Sequence, residues 1–596
     1  MQRWSSFWSG ILFVCFLSSA CALELKGSKE GYSYGPDTRQ SVREETTGLL
    51  SQPAPSASPQ GKSQVHVKIL AFNDFHGHLS DDCLEKKPPV GSAPVLAACL
   101  ADAAQGMKYQ TFIVHAGDQV GASVASSALL NDEPSIRFLN LLANRPGWSI
   151  IGTLGNHEFD RGKEEMLRLT RRTSKGGPPL ENPYRGAQFP YVCANVICTE
   201  TDQPLLPPFV IRIVQGVPIA FIGAVTTETP HKVDKSTIAG LRFQDEAEAI
   251  NYQVDLLKRW GVRTIVVLLH AGGFGQARYD GPTDPRNDKL RGKIVEIVNR
   301  LDGEVDVVIS GHSHKFTNAL VNSKNHKKVL VTQAIWHGEA YADIDLMIDP
   351  ATRDVVSKRA QIKTADRAAG SAKNPDLQVC ELVKQAEARV NQIILPRYIK
   401  EVIGQAKRDI SKAQNDAGES DLGKLVADAQ REAGQTQFAF VNPGGIRADK
   451  IAEGDVTWGD LFCVQPFRNK LVIVKLTGQQ IYELLTQQWY GRSSPMFLQV
   501  SGLCYTWDAG YTPPRILGVK DEKGKPINKA STYTVTVNDF LAKGGDKFSV
   551  LEKVKKVEVK EHSKELDALI TYIEKYPTVF YIKTAKRIIK VNSSML

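Results

Sequence analysis

The sequence has few cysteines, little excess charge of either sign and no hydrophobic run long enough to span a membrane. Nine cysteines among 596 residues are too few for a disulfide-stapled scaffold. The 74 basic and 65 acidic residues leave a net charge of +9, which is mild for this length. Proteins that bind nucleic-acid polymers need a dense basic face, so this balance gives no support to such a partner.

The remaining composition is that of ordinary globular protein. Hydrophobic residues make up 42% and charged residues 23% of the chain, which excludes wholesale disorder, collagen-like and coiled-coil classes. At about 100–200 residues per domain, the length corresponds to roughly three to five domain-sized units or fewer large ones.

The N-terminus has the layout of a secretory signal peptide over residues 1–22. Arg3 precedes a short apolar run, Phe7 to Leu17, and Ala20-Cys21-Ala22 forms a small-residue exit. An alternative is a lipoprotein box with Cys21 as the acylated residue, although Ser18 stands where a larger aliphatic residue is usual. Both alternatives predict export, to the periplasm, the cell surface or the medium. Export permits disulfides, and Cys193 and Cys198 are close enough in sequence to pair.

The rest of the chain is predicted to be α/β. Residues 23–64 are a linker rich in Pro and Ser. From residue 65 to 355, apolar runs typical of buried strands alternate with amphipathic stretches, which predicts a layered α/β domain. Residues 356–410 are predicted to be a second linker with a helix from Asp376 to Asn391. A smaller α/β domain, 411–590, follows, and the sequence shows no internal repeat.

Five polar clusters follow predicted strands directly, where ligands bind in α/β folds. They are Asn73-Asp74-Phe75-His76, Gly117-Asp118, Gly155-Asn156-His157-Glu158, His270 and Gly311-His312-Ser313-His314. Carboxylate, imidazole and amide ligands suit divalent ions such as Mn, Zn, Co, Fe or Mg. The i, i+2 spacing of the ligand pairs predicts extended segments whose two side chains lean the same way. We expect His66, His78, His115 and His337 to be ordinary core histidines instead.

The ordered set D-x-H, G-D, G-N-H-E and G-H-x-H resembles the calcineurin-like metallophosphoesterases. The longer strings NDFHG, AGDQVGAS, GNHEFDRG and SGHSH resemble the 5'-nucleotidase family within them, over about residues 65–590. The resemblance implies a four-layered α/β/β/α catalytic domain with two divalent metals. One metal would be held by Asp74, His76, Asp118 and His314, and the other by Asp118, Asn156, His270 and His312. Many family members carry Gln or Asn at the position of His314.

Phosphate-ester hydrolysis at such a site needs a donor that is not a metal ligand. His157 fits because its neighbour Asn156 is the expected ligand, and Asp160 can orient and charge its imidazole. The family resemblance implies the same His157–Asp160 dyad. The alternative for Asp160 is a helix N-cap without a catalytic role.

The C-terminal strings N-x-G-G-I-R-A-D and N-x-F-L-A-x-G-G-D resemble the 5'-nucleotidase C-terminal domain. The resemblance implies that a base stacks between Phe467 and Phe540, that Asp546 contacts ribose, and that Asn442 and Arg447 make polar contacts. It also implies a domain rotation with a hinge around residues 355–410. Relatives carry an additional Arg shortly before the segment equivalent to Asp421-Leu422-Gly423, and residues 415–420 contain none.

Together these features predict an exported dimetal 5'-nucleotidase that uses Zn, Mn, Co or Mg to release nucleoside and phosphate. The missing arginine keeps three alternatives open: a 2',3'-cyclic-nucleotide phosphodiesterase, a 3'-nucleotidase and a nucleotide-sugar hydrolase. A non-catalytic nucleotide-binding surface protein is a further alternative. The preferred base and the oligomeric state are left open.

Overall fold

The computed structural model describes residues 64–79, 91–107, 111–171, 184–275, 283–285, 290–366, 375–492, 494–554, 556–577 and 586–593. The predicted signal peptide with Cys21, and the linker up to residue 63, lie outside these residues. No helix within the described ranges combines the length and the apolar character needed to cross a membrane.

Two six-stranded sheets form the centre of the N-terminal unit. The first has the order Val355–Thr364, Ala340–Ile348, Val65–Phe72, Thr111–His115, Trp148–Thr153, Tyr191–Val192. The second has the order Phe316–Asn322, Lys328–Ala334, Val305–Ser310, Thr264–His270, Val217–Val225, Phe209–Val214. The central strands of both sheets run parallel. Their buried, β-branched sequences, such as TIVVLLH, are typical of parallel strands covered on both faces.

The two sheets pack face to face, and helices cover their outer faces. Val114 and Ile151 of the first sheet share a buried cluster with Phe221 and Leu268 of the second. The helices of this unit are Ala93–Ala103, Ala125–Ala128, Glu133–Ala143, Lys163–Thr170, Thr229–Lys232, Glu246–Arg259 and Lys293–Val298. Short 3-10 helices cover His157–Phe159 and Lys235–Ile238, and a small sheet joins Gln203–Pro204, Val196–Cys198 and Leu241–Phe243. The predicted four-layered α/β/β/α architecture is therefore confirmed.

Helix Glu246–Arg259 illustrates how the sequence defines an element. The Asp245 side chain accepts a hydrogen bond from the backbone N–H of Glu248 at 3.0 Å and so caps the helix N-terminus. Acidic residues lie in the first turn and basic residues in the last, which complements the helix dipole. Ile250, Val254 and Leu257 form the apolar stripe that packs on the second sheet.

The C-terminal unit is a smaller α/β assembly. Its main sheet has the order Gln499–Ser501, Phe438–Val441, Thr532–Asn538, Lys470–Thr477, Lys556–Lys564, and a second sheet joins Arg515–Asp521, Leu503–Asp508 and Ile588–Val591. Two small pairs join Val402–Ala406 to Gly454–Thr457 and Ile410–Ser411 to Lys450–Ile451. The helices are Asp421–Gly434, Trp458–Val464, Gly478–Thr486, Asp539–Ala542, Ser549–Glu552 and Glu565–Lys575, with 3-10 turns at Pro443–Gly445 and Gly545–Lys547.

The segment 356–410 contains strands as well as the expected helix. Helix Leu377–Ile393 begins after its N-cap Asp376. Strand Val355–Thr364 forms the edge of the first sheet, and Val402–Ala406 already pairs within the C-terminal unit. Both ends of the predicted linker therefore form strands that belong to the neighbouring units.

Cys193 and Cys198 are free thiols. The strand Val196–Cys198 extends the chain between them, and each extended residue adds about 3.3 Å. The pairing that their spacing permits is therefore not made.

Candidate metal centre

Loops at the ends of five central strands converge on one cleft between the two sheets. Asp74 and His76 follow strand Val65–Phe72, Asp118 follows Thr111–His115, and Asn156 follows Trp148–Thr153. From the second sheet, His270 ends strand Thr264–His270, and His312 and His314 follow Val305–Ser310. Both sheets direct the carboxyl ends of these strands to the same place, so their polar side chains meet.

The predicted ligands form two groups that share one carboxylate. Ligand atoms of Asp74, His76, Asp118 and His314 all lie within 4.8 Å of one another, and so do those of Asp118, His270 and His312. Within the first group, His76 Nε2 lies 3.2 Å from His314 Nε2, and His314 Nε2 lies 3.3 Å from Asp74 Oδ1.

The second group is completed by an amide. His270 Nε2 lies 3.1 Å from Asp118 Oδ2 and 3.2 Å from the Oδ1 atom of Asn156. Burial lowers the pKa of His270, but the Asp118 carboxylate outweighs it and raises that pKa to about 9. This buried cluster therefore favours positive charge, and its carboxylate, imidazole and amide donors fit divalent cations.

The ligand loops are sharply turned, contrary to the extended segments expected from the i, i+2 spacing. Asp74, His76, Asp118 and His314 have φ angles of 50°, 51°, 50° and 52°. Non-glycine residues pay a conformational cost in this left-handed region, and such residues concentrate at functional sites. The backbone N–H of Asp74 donates to Gly117 O at 3.1 Å, and that of His76 donates to Asp118 O at 3.0 Å. These bonds between neighbouring loops hold the turns that direct the side chains inward.

Two glycines allow the loop after strand Thr111–His115 to touch the loop after strand Trp148–Thr153. Gly117 has φ +84°, and a Cβ atom there would lie 2.5 Å from the backbone nitrogen of Gly155. A Cβ atom at Gly155 would lie 2.2 Å from Asp118 Oδ1. The glycines of the G-D and G-N-H-E strings are therefore required by close packing around the shared carboxylate.

Backbone carbonyls orient two of the imidazoles. His76 Nδ1 lies 2.8 Å from Gly121 O, and His270 Nδ1 lies 2.7 Å from Ala116 O. A carbonyl accepts but cannot donate, so each Nδ1 carries a proton, and the neutral form of each ring, the form that binds a metal, presents its Nε2 lone pair to the cluster.

Glu158 holds two of the ligand loops together through hydrogen bonds to their backbone, a role that the sequence did not predict. Its carboxylate accepts hydrogen bonds from the backbone N–H groups of Asp118 at 3.0 Å, Gln119 at 2.8 Å and Gly155. Burial and the nearby Asp118 charge raise its pKa to about 7. Its position within G-N-H-E is the only sequence signal for this role.

His157 and Asp160 form a hydrogen-bonded pair beside the cluster. His157 Nδ1 lies 2.8 Å from Asp160 Oδ2, and the backbone N–H of His157 donates to Asp118 Oδ1 at 2.8 Å. Burial lowers the pKa of His157, but Asp160 and Asp118 outweigh it and raise that pKa. The following helix, Lys163–Thr170, has Gly162 as its N-cap, so Asp160 does not serve as the N-cap considered as its alternative role.

Glu228 is a second residue that the sequence analysis missed. Its Oε2 atom lies 3.5 Å from His312 Nε2. It follows strand Val217–Val225, so the strand-end rule that located the other clusters also applies to the string AVTTE.

Two predicted substrate residues of the C-terminal unit reach the cluster. Arg447 Nη2 lies 3.2 Å from His76 Nε2. The ring of Phe467 stacks on His157, with centroids 5.7 Å apart and planes 15° from parallel. These side chains therefore face the metal groups and the dyad directly.

The other three lie together nearby. Asn442 Nδ2 donates to Asp546 Oδ2 at 2.8 Å. The ring of Phe540 lies against Gly545, where a Cβ atom would be 2.5 Å from the ring. Asp546 also forms an ion pair of 3.2 Å with Lys232 of the N-terminal unit, a contact that no sequence motif signalled.

The four histidines expected in the core have different surroundings. His66 lies near the start of the interior strand Val65–Phe72, is partly exposed, and contacts Asp345 Oδ1 at 2.8 Å. The rings of His78 and His337 stack with centroids 4.4 Å apart, and His337 lies 5.9 Å from His76. His115 is buried, and neither of its ring nitrogens has a hydrogen-bond partner among the described residues, so it is not the satisfied core histidine expected.

Comparison with known proteins matches both units to families. The family model for calcineurin-like phosphoesterases matches residues 67–316. The model for the 5'-nucleotidase C-terminal domain matches residues 402–553.

Individual relatives extend the similarity to most of the chain. The cell wall protein Lmo0130 of Listeria monocytogenes is 34% identical over 585 residues, covering 91% of this chain and 71% of that protein. Endonuclease YhcR of Bacillus subtilis is 34% identical over 528 residues, covering 86% of this chain but only 40% of that protein. The crystal structure of the 5'-nucleotidase precursor from Thermus thermophilus has a TM-score of 0.71 and 25% identity, and the match covers 88% of this chain and 99% of that one.

Proposed function

The chain belongs to the 5'-nucleotidase family and is a metal-dependent phosphoester hydrolase, and from this premise we propose that it hydrolyses nucleoside monophosphates to nucleoside and phosphate. The observation that carries the proposal is the convergence of two ligand groups on a shared Asp118, with the His157–Asp160 pair beside them. A hydrolase needs both parts within reach of one phosphate.

We assign two divalent cations to the cluster, drawn from Zn, Mn, Co or Mg. Asp74, His76, Asp118 and His314 would hold one, and Asp118, Asn156, His270 and His312 the other. When bound, such a pair neutralises phosphate oxygens and activates a water molecule near neutral pH. The oriented Nε2 atoms of His76 and His270 are ready for this role because their Nδ1 atoms are already engaged.

His157 is the proposed catalytic residue that is not a ligand. Asp160 holds its Nδ1 atom, so the Nε2 atom is left to donate to the phosphate oxygens or to the leaving alkoxide. The raised pKa of His157 supports a protonated, donating form. Asp160 orients the ring and stabilises its charge, and Arg447 adds a second positive group on the same side.

The C-terminal unit is the proposed substrate-binding domain. We propose that Phe467 and Phe540 stack on the base, Asp546 accepts from ribose hydroxyls, and Asn442 and Arg447 contact the sugar and phosphate. The hydrogen bond between Asn442 and Asp546 supports this grouping because it fixes both side chains in one pocket wall. We assign catalysis to residues 65–355, the linker to 356–410 and substrate binding to 411–590. Two strands inside the linker range pair with the neighbouring units: Val355–Thr364 with the catalytic unit and Val402–Ala406 with the substrate-binding unit.

We further propose that the protein acts outside the cytoplasm, in the periplasm, in the medium or attached to the cell surface through Cys21. The predicted signal peptide supports export, and one relative is named as a cell wall protein. Mass spectrometry of the mature N-terminus tests this directly. A chain starting at Leu23 supports a free protein, a lipid-modified Cys21 supports the anchor, and an intact Met1 contradicts export.

The second candidate is a phosphodiesterase on 2',3'-cyclic nucleotides with 3'-nucleotidase activity, or a nucleotide-sugar hydrolase. Two observations favour it: residues 415–420 lack an arginine, and a relative is named as an endonuclease. A non-catalytic nucleotide-binding protein remains the third candidate.

A substrate panel separates these candidates. The purified chain, loaded in turn with Mn, Zn, Co and Mg, is assayed for phosphate release from mononucleotides, cyclic nucleotides and nucleotide sugars. We expect the highest kcat/KM on a 5'-mononucleotide. Higher kcat/KM on a diester would favour the second candidate, and no turnover with any metal would contradict the hydrolase.

A further inference from the structure

The C-terminal unit presents two cations to the first metal group. Arg447 reaches His76 through Nη2 at 3.2 Å, and its Cζ lies 5.9 Å from the ring of Phe467. Its Nε atom is buried and has no hydrogen-bond partner among the described residues. Part of this guanidinium is therefore unused by the protein itself.

Lys412 approaches the same group from a neighbouring position. It directly follows strand Ile410–Ser411, and its backbone N–H donates to Asp449 O at 2.7 Å, which continues the pairing with Lys450–Ile451. Its Nζ atom lies 5.9 Å from the ring of Trp336. That ring in turn lies 4.5 Å from the ring of His314. Arg447 thus reaches the first metal group at His76, and Lys412 approaches it at His314 through the ring of Trp336.

Neither cation forms a close ion pair among the described residues, although the carboxylates of Asp118, Asp160, Asp74 and Asp449 favour the charged form of Arg447 from a greater distance. Among the described side chains, no carboxylate lies within ion-pairing distance of either Lys412 or Arg447. Burial, with the charges of Arg447 and Lys315, lowers the pKa of Lys412 to about 8 against the opposing effect of Asp449. Like charges held together in a half-buried place repel each other, and an anion between them removes that cost.

A cavity of about 250 Å³ opens beside Lys412. Pro443 and Ile446 of the turn that carries Arg447 line it, together with the polar side chains of Gln414 and Gln499. The cavity gives an anionic group access to the Lys412 ammonium next to the substrate turn.

We propose that Lys412 and Arg447 form a phosphate clamp that selects a dianionic terminal phosphate over a monoanionic diester. This inference rests on the proposed function and assigns to Lys412 the selection of phosphomonoesters over diesters. The second negative charge of a monoester is what a second cation can recognise, since a diester phosphate carries only one. Lys412 is thus a substrate-binding residue that specifies the ester class.

The test compares Lys412→Met, Lys412→Arg and, as a matched control, Lys475→Met on an exposed strand position of the same unit. Steady-state kinetics of the metal-loaded full chain are measured on AMP and on 2',3'-cyclic AMP. Lys412→Met should lower kcat/KM on AMP at least about tenfold, mainly through KM, because a charge-assisted hydrogen bond is lost. The loss on the cyclic diester should be at least fivefold smaller than that on AMP. Lys412→Arg should restore AMP turnover to within threefold of wild type, and Lys475→Met should match wild type on both substrates.

Equal losses on both esters, or an unchanged KM for AMP in Lys412→Met, would overturn the clamp. Calorimetric titration of the metal-loaded protein with inorganic phosphate separates this failure from that of the proposed function. A wild type that hydrolyses no nucleotide contradicts the function, yet weaker phosphate binding by Lys412→Met would still support the clamp. Above pH 8, phosphate affinity should fall faster in wild type than in Lys412→Arg, since Lys412 loses its proton amid Arg447, Lys315 and Asp449 while arginine stays charged.

Discussion

His157 occupies the point where the two units of the chain meet. One edge of its ring is held by Asp160, and one face is covered by Phe467 from the C-terminal unit. Its side chain belongs to neither metal group. Its catalytic contribution can therefore be removed without dismantling the cluster.

We predict that His157→Ala lowers kcat by about 10²–10⁴-fold, the usual contribution of a general acid or base, while metal content stays at the wild-type level. Asp160→Asn should cause a smaller loss, because the ring keeps its place but loses charge stabilisation. Kinetics together with metal analysis by mass spectrometry provide the measurement. His66→Ala, at a partly exposed position near the start of strand Val65–Phe72, is the matched control and should behave as wild type. Full activity in His157→Ala would refute the assignment of the dyad.

We predict that Glu158→Ala weakens metal binding by about 10–100-fold, as loss of a supporting partner usually does. Three backbone donors around Asp118 lose their acceptor, and each buried unsatisfied group costs about 1–3 kcal/mol. Chelator competition measures the affinity, and thermal unfolding measures the stability. Glu158→Gln, which keeps one acceptor oxygen, should be intermediate, and Glu164→Ala at an exposed position is the control. Unchanged metal affinity in Glu158→Ala would show that the loops hold without it.

The sequence was sufficient to predict the residues of the cluster but not their backbone geometry. Parallel strands end at one edge of a sheet, so a polar cluster after each buried strand predicts convergence, and all seven expected ligands meet. The left-handed turns at Asp74 and His76 are held by hydrogen bonds between separate loops, which spacing along the chain does not reveal. The contacts of Glu158 and Lys232 were missed for the same reason.

At the scale of elements, helix Leu377–Ile393 connects two hydrophobic cores. Val379 and Val383 pack with the outer helices of the first sheet, whereas Ala386 and Val390 pack with Leu422 and its neighbours in the C-terminal unit. The apolar period and the capping Asp376 made this helix predictable. Strand Val355–Thr364 could not be predicted in the same way. Most of its side chains are at least partly exposed, so it lacks a buried apolar run, and it is held by pairing with strand Ala340–Ile348.

Helix Glu565–Lys575 begins with a buried acid whose titration should affect stability. Glu565 accepts from Asn469 Nδ2 at 3.1 Å and from Asn538 Nδ2 at 3.4 Å, and burial raises its pKa to about 8 from an ordinary value of 4.5. The folded state therefore binds a proton that the unfolded state has released between these two pH values. This contribution to stability is fully present below about pH 4.5 and is lost as the pH rises towards 8.

We predict that Glu565→Gln flattens the dependence of unfolding free energy on pH between 5 and 8. Each unit of raised pKa corresponds to about 1.4 kcal/mol, so the difference in slope should accumulate to at least ~2 kcal/mol across that range. Denaturant titrations at each pH provide the measurement. Glu483→Gln, at an exposed helix position, should retain the wild-type slope. A wild-type slope in Glu565→Gln would mean that this carboxyl is ionised when folded.

At the scale of the whole molecule, three ion pairs among the described residues join the two units. Lys232 pairs with Asp546, Lys235 with Glu552 at 2.9 Å, and Lys543 with Asp234. Lys235 and Glu552 are largely exposed, so each such pair contributes about 0–1 kcal/mol and weakens as salt screens it. These pairs thus add several weak, reversible contacts to the buried packing between the two units.

We predict that Lys235→Glu, which faces Glu552 with like charge, shifts the units towards separation by up to about fivefold in population at low salt. Single-molecule energy transfer between one dye on each unit measures the shift. The exchanged pair Lys235→Glu with Glu552→Lys should restore the wild-type distribution, and a high salt concentration should reduce the difference. Equal distributions in all variants would exclude this pair from domain closure.

The cleft between the two sheets also determines when the cluster can come into being. His76 and His314 touch in space but stand 238 positions apart, and the second sheet supplies its three ligands last. A ribosome-bound chain that has formed only the strands up to Tyr191–Val192 holds Asp74, His76, Asp118 and Asn156 without the partners that the second sheet supplies. Both metal groups can therefore bind cations only after the second sheet has formed, so metal binding follows the folding of this unit and does not nucleate it.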